Sequence, residues 1–149
     1  MEAQNITLLS FQIHEDSFAV DALQVDHILE IPPHITKVPN TPEFMKGVIN
    51  LHGNIIPVVD MRHILDKKDI TNSADTSIIV INPTDQEDSR LGIIVDMVKE
   101  VIEAKRENLK ETVLEGNKGM IESFEGTLIS NNEFIHIINI KNLTEVVTK

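Results

Sequence analysis

Apolar and polar positions alternate along much of the chain. Between positions 6 and 13, Leu9, Phe11 and Ile13 share one face and polar Ser10 and Gln12 fall between them. That is the period of a half-buried strand. Positions 14–17 read as a polar turn, and Phe18-Ala19-Val20 resumes the strand. Asp21 is placed to cap a helical turn over 22–25, and 26–31 looks extended until Pro32-Pro33 ends it. After a loop over 36–42, Thr41 followed by Pro42 predicts an N-cap and a first-turn proline opening a one-turn helix through Met45. Apolar runs at 47–51 and 55–59 flank His52-Gly53-Asn54 and predict a hairpin with glycine where positive φ is needed. Pro57 lacks an amide donor and should lie at a sheet edge or face outward. Asp60 can cap a helical segment over 60–65.

Residues 67–76 are polar apart from Ile70 and Ala74, and they are the best candidate for an internal boundary. The continuous run Ser77-Ile78-Ile79-Val80-Ile81 suits a fully buried strand, and Leu91-Gly92-Ile93-Ile94-Val95 predicts another. Positions 98–104 look extended, 105–118 charged and irregular. A second hairpin is expected over 126–130 and 134–138, and a short helix over 139–147. The hairpins are related. Residues 47–64 align without a gap on 126–143, so that Ile49 meets Leu128, Val58-Val59 meet Ile137-Ile138, Asp60 meets Asn139 and Arg62 meets Lys141. Phe18-Ala19-Val20-Asp21 echoes Ile93-Ile94-Val95-Asp96 more weakly. Two small β units of similar plan follow, each near half the chain. Units that short are marginal alone and should pack on each other, leaving a seam suited to binding.

The composition sharpens this. The apolar residues are rich in Ile and Val, the aromatics are five Phe with no Trp or Tyr, and no cysteine is present. β-Branched side chains favour a pleated surface, so a mainly β protein with an aliphatic core is expected. A net charge of −11 over 149 residues argues against nucleic acid and anionic membrane surfaces as partners. No basic and apolar leader and no run near 20 apolar residues is present, so neither a signal peptide nor membrane insertion is expected.

Candidate chemistry is sparse. The six histidines, His14, His27, His34, His52, His63 and His136, never form H-x-x-x-H or H-E-x-x-H, so no metal site and no cofactor is expected. Asp26 with His27, or Asp60 with His63, could serve as orienter and base of a small β-barrel hydrolase only if a nucleophile were supplied. Solvated or capping residues are the simpler reading. His136 alternates with Phe134 and Ile138 and is expected in the core or on a groove wall.

The stretch Pro39-Asn40-Thr41-Pro42-Glu43-Phe44-Met45-Lys46-Gly47-Val48-Ile49-Asn50-Leu51-His52-Gly53-Asn54-Ile55-Ile56-Pro57-Val58-Val59-Asp60-Met61-Arg62 resembles the CheW family of chemotaxis coupling proteins. Their pattern there is N-T-P-x-F-h-x-G-V-x-N-L-R-G-x-h-h-P-h-h-D-L-R, with h aliphatic. Phe18 to Asp21, Leu91 to Asp96 and Ile137-Ile138-Asn139-Ile140 also fit, so the resemblance covers nearly the whole chain. It implies two SH3-like five-stranded β-barrel subdomains with short helices, approximately 14–66 and 77–140, with strand 6–13 free to join either. It also implies a non-enzymatic adaptor between the cytoplasmic tip of methyl-accepting chemoreceptors and the regulatory domain of a CheA-type histidine kinase. Such an adaptor is cytoplasmic and is recruited to receptor arrays at the inner face of the membrane. The 149 residues leave no room for a kinase core or a receiver domain, so a free adaptor is expected. The alternative is a CheW-like scaffold in a non-chemotaxis array.

By the same resemblance, a receptor groove is expected at Val25, His27, Ile28, His52, Val95 and Val98, and a kinase interface at Thr36, Val38, Lys46 and Gly47. A Gly47→Arg substitution should then weaken kinase binding and spare the fold, unless Gly47 is there for an unusual φ, in which case unfolding follows. Two positions depart from the family pattern. His52 stands at the usual Arg of N-L-R-G, and His27 at a frequent Glu.

Overall fold

The computed structural model describes residues 5–31, 35–67, 70–84, 89–112, 119–122 and 124–148. Its strands are β1 (Asn5–Ile13), β2 (Asp16–Asp21), β3 (Val25–Glu30), β4 (Met45–Leu51), β5 (Asn54–Asp60), β6 (Ser77–Ile81), β7 (Leu91–Val95), β8 (Met97–Lys105), β9 (Phe124–Ser130) and β10 (Glu133–Ile138). Two helices follow the hairpins, α1 (Met61–Ile64) and α2 (Ile140–Thr148). The strands form two five-stranded sheets, the first in the order β8-β1-β2-β10-β9 and the second β3-β6-β7-β5-β4.

Corresponding places in the two sheets are taken by corresponding strands of the two sequence units, but the units are interlaced. β1 and β2 of the first unit join β8, β9 and β10 of the second, while β6 and β7 of the second join β3, β4 and β5 of the first. The expected halves 14–66 and 77–140 therefore cut across both sheets. The cause is the parallel pairing of each hairpin with a strand of the other unit. β5 lies along β7 in the register Val58↔Gly92, Val59↔Ile93, Asp60↔Ile94, and β10 lies along β2 with His136↔Phe18. The N-terminal strand pairs with β2 and β8. The polar stretch 67–76 falls between α1 and β6, and β6 joins the same sheet as β5, so the sheets do not divide there.

One short bridge ties the opposite edges of each sheet. Thr36, beyond β3, exchanges two backbone hydrogen bonds with Val48 of β4 (3.0 and 2.8 Å), and Lys110, beyond β8, does the same with Thr127 of β9 (2.8 and 2.7 Å). Val48 uses both backbone groups on Thr36, so Pro57 opposite it meets no demand for an amide. Pro57 thus sits in an inner strand and not at an edge, half-buried on the same face as exposed Ile55, just before the β5–β7 ladder opens at Val58. Both hairpins turn in two residues with positive φ, His52-Gly53 (53° and 87°) and Asn131-Asn132 (52° and 64°), the tight turn that matches strand twist. Asn54 is already in β5. The helix expected over 41–45 is a plain turn. The Thr41 hydroxyl donates to Val38 O instead of capping, and Phe44 O accepts from Asp60 N at 2.8 Å, which draws the segment into β4.

Three apolar clusters hold the molecule. Ile49, Ile56, Val58, Ile78, Val80 and Ile94 pack together on one face of the second sheet, and Leu8, Ala19, Leu128, Ile135 and Ile137 on one face of the first. The largest lies between the sheets, where Leu9, Phe11, Ile13, Phe18 and Val20 of the first meet Val59, Ile79, Ile81, Ile93 and Val95 of the second. Fully burying such a side chain contributes about 1.5–3 kcal/mol, so this shared layer couples the sheets strongly. Successive residues of a strand point to opposite faces and so join different clusters, as Ile78 and Val80 do against Ile79 and Ile81.

Candidate functional site

Gly47 is buried in β4 with φ +138°, and a Cβ there would stand 2.1 Å from Thr36 O. The close approach lets Thr36 tie the sheet edges together. Of the residues expected at a kinase interface, Thr36, Lys46 and Gly47 thus gather at one end of the second sheet, and Val38 lies exposed in the adjoining loop. Gly47 itself offers no surface to a partner, so Gly47→Arg acts first on the fold. Beside them opens a cleft of about 360 Å³ walled by Ile31, Ile35 and Ile94, with Lys37 and Lys46 among its lining and Asp60 and Arg62 in its floor. The Lys46 ammonium donates to His63 Nε2 at 3.1 Å. An ammonium has no lone pair, so this contact needs the His63 proton on Nδ1.

The floor of the cleft is a buried charge network. Arg62, 1% exposed, grips Asp60 through Nε and Nη2, both at 2.9 Å, while Asp60 Oδ1 also accepts the Arg62 amide as the cap of α1. Nη1 reaches Asp96 Oδ1 at 3.1 Å and Thr71 O at 3.2 Å, and Nη2 reaches Asn72 Oδ1 at 2.7 Å. Asp96 Oδ2 in turn accepts the His14 amide at 2.6 Å, so the network joins α1 of one sheet to the β1–β2 turn of the other. Burial alone would lower the Arg62 pKa, but the bonds to Asp60 and the charges of Asp60 and Asp96 more than offset it, and the pKa is raised. A second ion pair between the sheets, Lys67 with Asp16 at 2.8 Å, lies nearby. The network went unread in the sequence, although Asp60, Arg62 and Asp96 each belong to the family pattern. Their convergence is tertiary.

The residues expected at a receptor groove divide. His27 of β3 and His52 of the β4–β5 turn come together, with ring centroids 5.7 Å apart. Ile28 is exposed on β3. Val25 and Val98 are half-buried against the rim of the core between the sheets. Val95 is 0% exposed and is ruled out as a contact residue, because β7 is the central strand of its sheet and every residue of it is buried. Exposed apolar side chains that the sequence did not single out lie on the hairpins. Ile55 (64% exposed) and Phe134 (61%) hold equivalent places in the two units, and Phe134 pairs across the strands with Ile129.

Among the described residues the two Asp–His pairs form no acid–base constellation. Both Asp60 oxygens are taken by Arg62 and His63 faces Lys46. The Asp26 and His27 side chains lie 3.2 Å apart, and Asp26 is also ion-paired with Arg90. His136 is a core residue. Its Nδ1 lies 2.9 Å from Thr127 Oγ1, and its ring packs on Phe18 and Phe124. Among the described residues no three His, Cys, Asp or Glu side chains converge as a metal site, and no helix is long and apolar enough to cross a membrane.

Paired, interlocked β-sheets with exposed apolar side chains on their hairpins suit a protein-binding module. The CheW-like domain model matches residues 7–147, and the chain belongs to that family. A chemotaxis protein CheW from Thermotoga maritima is 32% identical over 95% of this chain and 89% of its own length. One from Klebsiella aerogenes is 31% identical over 68% of this chain, a match that spans only 59% of the Klebsiella protein. The crystal structure of the scaffolding protein TtCheW from Thermoanaerobacter tengcongensis superposes with a TM-score of 0.78 at 29% identity, covering 91% of this chain and 90% of that one. A chemotaxis coupling or scaffolding role is what these relatives support.

Proposed function

We propose that the chain is a non-enzymatic adaptor that links the cytoplasmic tip of methyl-accepting chemoreceptors to the regulatory domain of a CheA-type histidine kinase. The observation that carries this reading is the CheW-like match over nearly the whole chain, joined to a fold that exposes apolar side chains such as Ile55, Ile129 and Phe134 on its hairpins. The receptor tip would lie along the seam at Val25, His27, Ile28, His52 and Val98. The kinase domain would meet the end of the second sheet around Thr36, Val38 and Lys46, where Gly47 acts as the spacer that lets Thr36 close the sheet. The protein would work in the cytoplasm and be recruited to arrays at the inner face of the membrane. Co-sedimentation tests it. The chain should pellet with receptor-containing membranes, and the kinase should pellet efficiently only when the chain is present. A chain that stays in the supernatant under both conditions would sink the proposal.

A further inference from the structure

No spacing in the sequence links His27 to His52, yet the fold sets them side by side where β3 meets the β4–β5 turn. Their ring centroids are 5.7 Å apart and the rings are inclined by 41°. Two imidazoles bound to one tetrahedral metal at about 2.0–2.1 Å per nitrogen have ring centroids roughly 5 Å apart. The pair is within about 1 Å of that separation, and His52 is exposed on its turn. The second feature is the orientation of His27. Its Nδ1 lies 3.2 Å from Asp26 Oδ2, and that carboxylate is ion-paired with Arg90, whose Nε lies 2.8 Å away. A carboxylate bonded to one ring nitrogen fixes the ring and leaves the other nitrogen for a metal, the arrangement that supports histidine metal ligands.

We propose that His27 and His52 form a two-imidazole surface site for a borderline divalent cation such as Zn²⁺ or Cu²⁺, with Asp26 as the positioning residue for His27. Imidazole selects these ions over Mg²⁺ or Ca²⁺, which demand oxygen ligands. With no third protein ligand converging among the described residues, water completes the coordination and the site is reversible. A bound ion cross-links the β3 edge to the β4–β5 hairpin. The site stands on its own geometry and does not depend on the adaptor reading, although it lies on the face that reading assigns to the receptor.

Calorimetric titration of the intact chain with Zn²⁺, Cu²⁺ and Mg²⁺ tests the site. One saturable site is expected for Zn²⁺ and for Cu²⁺, with none for Mg²⁺. His27→Gln and His52→Asn should each weaken it at least tenfold, Asn being chosen because it tolerates the positive φ of 53° at that turn. Asp26→Asn should weaken it by less while leaving one site. His63→Gln, remote from the pair and held by Lys46, should leave it unchanged. Thermal melts supply a readout separate from affinity: Zn²⁺ should raise the Tm of the wild type and not that of His52→Asn, whose metal-free melt shows whether it folds. Absence of saturable binding, or binding undiminished in a folded His52→Asn, overturns the site.

Discussion

At the scale of single residues, buried polar groups carry the information that apolar patterning lacks. Alternation with Phe134 and Ile138 points His136 inward, and it is buried together with Ile138, although Phe134 on the same register is 61% exposed. Burial pushes its imidazole below the ordinary 6.5, and the smaller influence of the Asp16 charge pulls the other way. The folded state therefore binds this proton less readily than the unfolded chain. Its contribution to stability is present above about pH 6.5 and is lost as pH falls from there toward the folded-state pKa. The Tm of the wild type should drop between about pH 7 and 5. His136→Gln should start from a lower Tm, because it loses ring packing on Phe18 and Phe124, but should fall less steeply. Calorimetric scans of both proteins across that range check it, and parallel slopes would remove the linkage. Arg62 shows the opposite case. Its type and place were visible, but its two aspartates could be assigned only in three dimensions. Removing one member of such a buried set typically costs about 3–5 kcal/mol, because the charge left behind cannot be rehydrated.

At the scale of elements, the two hairpins are the same device used twice, and the glycine that opens each is there for a backbone reason. Gly47 has φ +138° with Thr36 O where its Cβ would go, at 2.1 Å, whereas at Gly126 (φ +149°) the nearest atoms are Leu109 Cβ and Lys110 O, both at 3.1 Å. Backbone strain of this kind costs about 1–3 kcal/mol, and the Gly47 clash with a carbonyl adds to it, since backbone cannot swing aside as a side chain does. Gly47→Ala should therefore destabilise the protein by more than about 2 kcal/mol and by more than Gly126→Ala does. Urea unfolding of the two variants measures the difference; equal midpoints would show that the bridge at Thr36 yields without cost. The gapless repeat between 47–64 and 126–143 made both hairpins and their following helices readable, with Asp60 and Asn139 both accepting amides at the helix starts. The turn at 41–45 was misread because Pro42 after Thr41 is a helix signal locally, and only the bond from Asp60 N to Phe44 O overrides it.

At the scale of the whole molecule, the interlacing has a mechanical consequence. Neither sequence half contains a complete sheet: residues 5–66 hold two strands of one and three of the other, and the second half holds the complement. The charge network from Arg62 through Asp96 to His14 and the shared layer from Phe11 to Val95 both cross the same divide. A chain cut between Ser73 and Ala74 should give two fragments that are each unfolded alone and that regain the native circular dichroism spectrum when mixed. Fragments that each show a cooperative melt on their own would mean that the sheets do not need each other's strands.

Period-two alternation, turn residues and capping residues depend on neighbours in the chain, so the sequence by itself determined that the protein is mainly β, where its hairpins turn, and that it is built of two related units. The dense run from Pro39 to Arg62 also determined the family. Strand partnership is a choice among several equally apolar edges. Only tertiary structure decided that β2 lies beside β10 and β7 beside β5, which is why the halves inferred from the repeat do not match the sheets. It also decided that Val95 is sealed in a central strand, that Gly47 sits against Thr36, and that His27 and His52 meet. Each of these depends on which surfaces are covered once the sheets curl and pack, and linear spacing carries no record of that.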